Sequence, residues 1–137
     1  MTYKFEQLEV WQLALDYIDA IYALAEKLPR QEEYNLKSQI ILVATSIALN
    51  IAEGSQGQTD PEQARFLGLS IRSLIETVAC QHLIRRRQHL PDPEPLREAY
   101  RFSEKLFAKL QAFRTALKGP AMHEEPGDYE YASDAPF

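Results

Sequence analysis

Cysteine is almost missing from this 137-residue chain, Cys80 being the only one. One thiol excludes an intrachain disulfide and any metal site built from several cysteines. Its place inside a helical pattern makes it a small core residue. Histidine is scarce as well: His82, His89 and His123 are scattered, and none has an orienting partner in the sequence that would make it a general base. No glutamate is followed three residues later by histidine, so the Glu-x-x-His pairs of a carboxylate-bridged metal bundle are absent, and neither a metal nor another cofactor is expected. Glycine occurs five times. With no strand pattern anywhere, no Gly-rich phosphate loop can follow a strand, and there is no Gly-x-Ser-x-Gly elbow.

Long apolar runs are also lacking. The greasiest stretch falls short of the about 20 residues that span a bilayer. The start, MTYKFEQLEV, has no basic segment leading into an apolar one. No membrane association and a cytoplasmic location are therefore expected. The net charge of −5 is unevenly placed. Glu124, Glu125, Asp128, Glu130 and Asp134 lie after residue 118 with no Lys or Arg among them, which leaves the first 118 residues with 15 basic and 15 acidic groups. A neutral body does not carry the general phosphate affinity of a basic domain, although a local basic stripe remains compatible with it.

What is present is helical periodicity. Hydrophobic content of 45% and charged content of 26% are those of an ordinary globular chain, and the length corresponds to one domain. The first helix is predicted over Phe5 to Leu28, where Leu8, Trp11, Leu15, Ile18, Tyr22 and Ala25 form one heptad seam and Val10, Ala14, Tyr17, Ile21, Leu24 and Leu28 a second. Pro29 ends it. Asn35 is an N-cap or turn residue for the second helix, which runs to about Gly54, a residue that tolerates left-handed dihedrals at a helix end. The third helix opens with Asp60 as N-cap, Pro61 at the first turn and Gln63 in a capping box, and extends to about Gln88. Its core stripe is Leu67, Ile71, Leu74 and Val78, beside a seam of Phe66, Ser70, Ser73, Thr77, Cys80 and Ile84. Asp92-Pro93-Glu94 repeats the start signal. The fourth helix then holds Leu96, Ala99, Ser103, Leu106, Leu110, Phe113 and Leu117 in heptad register, until Gly119-Pro120 stops it. The pattern is that of an all-α, antiparallel up-down-up-down four-helix bundle over residues 1–118. An acidic, proline-containing tail over 119–137 is expected to be irregular.

Within this plan Ser38 to Gly54, SQIILVATSIALNIAEG, stands apart. It has no formal charge before Glu53, and apolar residues fall on every side of its wheel, so it must be covered on every side. The other helices cover one side. The far side, with Ile41, Thr45, Ala48 and Ala52, is expected to meet another copy of the chain. On that basis Ala48→Glu or Ile41→Glu should dissociate the oligomer and leave helicity intact. Ser46, Asn50, Glu53, Ser73 and Glu76 are expected to form a hydrogen-bonded polar layer between helices two and three. Arg65, Arg72 and Arg86 are separated by multiples of seven, which holds them within about 40° of one face. With Arg85 and Arg87 they are candidate nucleic-acid contacts; the alternative is a solvated helix face. The helical HEPN ribonucleases need a longer Arg-to-His spacing than the three residues between Arg85 and His89.

Several segments taken together carry a family resemblance: FEQLEVWQLA at Phe5 to Ala14, Pro29-x-x-Glu32-x-Tyr34-x-Leu36-x-x-Gln39, Ser46-Ile47, Asn50-Ile51-Ala52-Glu53-Gly54, and Phe66-Leu67 followed by Ser73-x-x-Glu76. In this order and spacing the chain resembles the bacterial four helix bundle protein family, also described as 23S rRNA-intervening-sequence proteins. That family includes the accessory variability protein of diversity-generating retroelements. The resemblance implies an up-down-up-down bundle, a homopentameric ring and no enzymatic activity. It also implies association with RNA, DNA or a reverse transcriptase through basic surfaces. Three positions depart from the family pattern: Ile41 and Leu42 stand where a pair of arginines is usual, and Arg72 where glycine is usual. The function expected from residues and resemblance together is a non-catalytic, homo-oligomeric scaffold or interaction protein. The alternative is a nucleic-acid-binding accessory protein that uses the arginines of helix three.

Overall fold

The computed structural model describes residues 2–57, 59–119 and 135–137. Among these there is no strand. Helices α1 (Glu9–Glu26), α2 (Leu36–Ser55), α3 (Asp60–Arg86) and α4 (Glu94–Lys118) form the bundle. Each packs on its neighbours in chain order, and α4 closes back on α1. The directions alternate: Ser46 and Ile47 of α2 meet Ser73 and Ser70 of α3, and Glu9 at the start of α1 meets Lys109 late in α4. This is the antiparallel four-helix bundle read from the sequence. Residues 120–134, which include His123 and all five acidic groups of the tail, lie outside the described residues.

The helix ends differ from expectation in four places. Lys4–Gln7 form a separate 3-10 turn, and extended Leu8, with ψ of 132°, breaks it from α1. Asn35 precedes α2 but does not cap it with its side chain. The Glu32 carboxylate does so instead, accepting from the Leu36 amide at 3.2 Å and from Asn35 Nδ2 at 3.1 Å. At α3 the cap is Thr59, whose hydroxyl accepts from the Glu62 amide at 3.3 Å, so Asp60 is already the first helical residue. An acid there still favours the helix dipole. Gly54 is inside α2 with no left-handed backbone. Its role is space: a Cβ at this position would lie 2.6 Å from Phe66 Cβ.

The core sorts the two seams of α1. Val10, Ala14, Tyr17, Ile21, Leu24 and Leu28 are buried, while Leu15 and Tyr22 of the other seam are exposed. Ile40, Ala44, Ile47 and Ile51 of α2 join them, with Leu67, Leu74 and Ile84 of α3 and Leu96, Leu106 and Leu110 of α4. Cys80 is buried and unpaired, and burial pushes its thiol up, with the Glu76 charge adding to the effect.

A polar chain crosses this core that sequence reasoning missed. Thr77 donates to the Leu74 carbonyl at 2.6 Å. Its single proton is thereby used, so the Tyr17 hydroxyl donates to Thr77 Oγ1 at 2.7 Å and itself accepts from Gln81 Nε2 at 2.9 Å. The signal was a tyrosine in the buried seam facing Thr77 and Gln81, one helical turn apart. Tyr17→Phe leaves Gln81 without its acceptor and should cost about 1–3 kcal/mol, measured by urea unfolding. Burial also holds the Tyr17 hydroxyl far above its ordinary range, against the lowering effect of its two hydrogen bonds. The unfolded chain releases this proton near pH 10 while the folded chain keeps it. Wild-type stability should therefore fall as pH rises beyond about 10, and Tyr17→Phe should lack that part of the fall.

Candidate interaction surface

The large apolar side chains open to water among the described helices come in spaced pairs: Leu15 and Tyr22 on α1, Leu42 and Leu49 on α2, Ile75 and Leu83 on α3. Residues seven or eight apart share a helix face. None is on α4, whose outer side carries Glu98, Arg101, Lys105 and Lys109. The bundle thus has a solvated side on α4 and an apolar crest on α2, where Leu42 is 66% and Leu49 60% exposed. By length and composition α2 also matches a membrane-crossing helix. Its bundle neighbours cover one side, and Lys37, Asn50 and Glu53 interrupt the rest.

The expected contact face on α2 lies about 80° round the helix from that crest, at 100° per residue. Ala48 is only 5% exposed, buried by the chain's own fold. Ile41 packs against the core while half-buried, and Thr45 and Ala52 are half-buried. Ala48→Glu would therefore drive a carboxylate into the bundle and unfold it, which replaces the clean dissociation expected above. Ile41 and Thr45 do reach the surface. With Glu33, Lys37, Ser38 and Leu42 they line an open depression of about 400 Å³.

The polar layer forms in part. Ser46 and Ser73 hydroxyls meet at 2.9 Å across the α2/α3 seam, and Asn50 Nδ2 donates to the Ser46 carbonyl at 2.9 Å and to its hydroxyl at 3.1 Å. Glu53 and Glu76 do not join it. Both are exposed and have no hydrogen bond or ion pair among the described residues. Glu53 of α2 and Glu76 of α3 point outward, the core sides of both helices being filled by residues such as Ile47, Ile51, Leu74 and Thr77.

Arg65, Arg72 and Arg86 share a face of α3, Arg85 stands well round the helix from them at 100° per residue, and the arginines are held differently. Arg65 is held by Glu62 at 2.9 Å and lies 4.5 Å over the Phe66 ring. Their hydrogen bond raises the guanidinium's pKa and lowers the carboxyl's. Arg72, Arg85, Arg86 and Arg87 are exposed, with no carboxylate at ion-pair distance among the described residues. Arg114 of α4 was not anticipated. It lies against Gly68, where a Cβ would come 3.5 Å from its guanidinium carbon, and its buried Nε has no hydrogen-bond partner among the described residues. Arg65, Arg114 and Lys118 line a second depression of about 420 Å³ with Pro61, Ala64 and Leu117. His89 Nε2 stands 3.6 Å from Glu32, too far for a hydrogen bond, and has no hydrogen-bond partner among the described residues. No group of three metal-ligating side chains occurs among the described residues.

The described residues thus define the class of all-α, antiparallel four-helix bundles, here with an apolar crest on α2. Residues 6–112 match the 23S rRNA-intervening sequence protein family, and the chain belongs to that family. Among solved structures it is similar to a protein of unknown function from the S23 ribosomal protein family of Bacteroides thetaiotaomicron. The identity is 21% and the TM-score 0.68, over 80% of this chain and 96% of the other. At that identity the likeness concerns the fold. No curated protein matches the chain.

Proposed function

We propose that the protein is a non-catalytic, homo-oligomeric scaffold whose copies assemble into a ring through the α2 crest and present the remaining surface to another macromolecule. The observation that carries this reading is the exposure of Leu42 and Leu49 on a helix with almost no charge. Covering each leucine is worth about 1.5–3 kcal/mol, and paired apolar residues at heptad spacing fit a facing helix. A ring requires heterologous contacts, one patch meeting a different patch on the next copy; Leu15 and Tyr22 of α1 offer a second apolar patch for that contact. Light scattering on the purified chain tests the proposal. A mass several times 15.7 kDa is expected, and a monomer at micromolar concentration would overturn it.

The unpaired Arg72 and Arg85 to Arg87 favour a second reading, in which the assembly binds a nucleic acid backbone. The words "23S rRNA" and "ribosomal protein" in the names of the family and of the solved relative point the same way. Arg65, Arg114 and Lys118 would extend the basic surface. Phosphate-driven affinity falls steeply with salt, by about 10³-fold or more between 50 and 200 mM when six or more phosphates are contacted. Fluorescence polarisation with structured RNA and with duplex DNA at those two salt concentrations should show that fall. No binding at the lower salt removes this reading and leaves the scaffold.

A further inference from the structure

On the α3 and α4 side of the bundle, away from the leucine crest, the last three residues of the sequence are seated on the helices. The ring of Phe137 meets His82 of α3 edge to face at 4.9 Å and Tyr100 of α4 at 5.6 Å. It packs against the hydrophobic core while remaining half-buried. Arg97 Nε donates to the Phe137 main-chain oxygen at 2.7 Å. The guanidinium is itself steadied by Glu94, one turn earlier, at 3.5 Å. A ring pocket with a side-chain donor aimed at a main-chain oxygen suits a short extended peptide: the pocket selects the side chain and the donor fixes the backbone. Pro136 restricts the segment before it docks, which lowers the entropy lost on docking.

We propose that the groove walled by His82, Arg97 and Tyr100 is a docking site for an extended peptide with an aromatic residue after proline, and that Ala135–Phe137 is its resident, displaceable ligand. The tether fits this role. From the end of α4 back to Arg97 is about 32 Å along the helix at 1.5 Å per residue. The fifteen residues 120–134 can span about 50 Å. That length is sufficient for the segment to reach the groove of its own chain. A contact held by one ring and one hydrogen bond is open to displacement by an untethered competitor of higher affinity. Seating an aromatic from elsewhere would release Ala135–Phe137 from the α3 and α4 surface.

The test uses the full-length chain and a fluorescein-labelled Ala-Ser-Asp-Ala-Pro-Phe peptide, followed by polarisation. Phe137→Ala empties the groove without touching the helices, so its melting curve should match wild type, and it should bind the peptide saturably. Wild type, with its own segment in place, should bind at least ten-fold more weakly. Phe137→Ala combined with Arg97→Leu should lose at least ten-fold relative to Phe137→Ala alone, and a peptide ending in Ala should not bind. Equal binding by wild type and Phe137→Ala, or no saturable binding to Phe137→Ala, would overturn the proposal. So would binding insensitive to Arg97→Leu.

Discussion

Leu42→Glu combined with Leu49→Glu is expected to reduce the particle to single 15.7 kDa chains while the helical circular dichroism stays at the wild-type level. Both side chains already point into water, so a glutamate at either position meets no neighbour it must displace, and the bundle core is untouched. In an assembly the same glutamates would have to be stripped of water against apolar side chains, with no cation opposite them. Each substitution then removes about 1.5–3 kcal/mol of burial at every interface and adds the cost of desolvating a carboxylate. Two such changes exceed what a standard interface can lose and remain associated at micromolar concentration. Light scattering reads the mass directly. Ile75→Glu on α3 is the informative comparison, since a loss of mass there and not in the α2 variant would move the contact surface to the third helix. An unchanged mass in the double variant would remove α2 from the interface.

Much of the fold could be read from the sequence, because the ends of α1 and α4 are set by residues with distinctive backbone chemistry, whereas the caps of α2 and α3 come from the neighbouring Glu32 and Thr59. Pro29 cannot be preceded by helix without strain. Gly119, with φ of 77°, sits in the region that favours glycine. The heptad seams of α3 and α4 match the buried residues closely because those helices alternate apolar and charged positions. Helix α2 was harder for the opposite reason. With apolar residues on every side, periodicity cannot say which of them the bundle takes and which it leaves, and the exposed face was placed about 80° from where Leu42 and Leu49 stand. The same ambiguity affected α1, where two adjacent seams of equal hydrophobicity competed for one core.

The missed polar features share a cause. A hydroxyl or amide in a seam reads as a tolerated small residue, yet Tyr17, Thr77 and Gln81 meet only when α1 and α3 are diagonally opposed, and that depends on bundle geometry rather than on any local pattern. Conversely, Glu53 and Glu76 looked like members of a layer because their spacing matched it. A carboxylate that can reach solvent stays there unless a buried cation holds it, and none faces these two. The docking of Phe137 lay beyond sequence reasoning altogether, since it joins residues 40 positions apart in the chain through a backbone oxygen.

Gly54→Val is expected to destabilise the α2/α3 seam by about 2–3 kcal/mol, seen as a melting point lower by roughly 10 °C. On helix propensity alone the substitution should help, because glycine inside a helix is worse than most residues. Sterics decide otherwise. The atom that a new Cβ would strike is Phe66 Cβ at 2.6 Å, with the Gln63 carbonyl oxygen at 3.4 Å. Neither is the loose end of a side chain, so relief requires α2 and α3 to separate, and the helices are tied by Ser46 to Ser73 and by Ser70 to the Ile47 carbonyl. A double-mutant cycle isolates the cause. Gly54→Ala should be destabilising in the wild-type background and equally so beside Phe66→Ala, which keeps the Cβ. Beside Phe66→Gly it should turn stabilising by up to about 1 kcal/mol, the propensity gain released once the clash is gone. If Phe66→Ala already relieved it, the ring and not the backbone approach would be what Gly54 accommodates. Because Leu49 is little more than one turn from Gly54 on the same helix, the splayed seam should also displace the crest, so Gly54→Val should weaken assembly even at temperatures where the monomer remains folded.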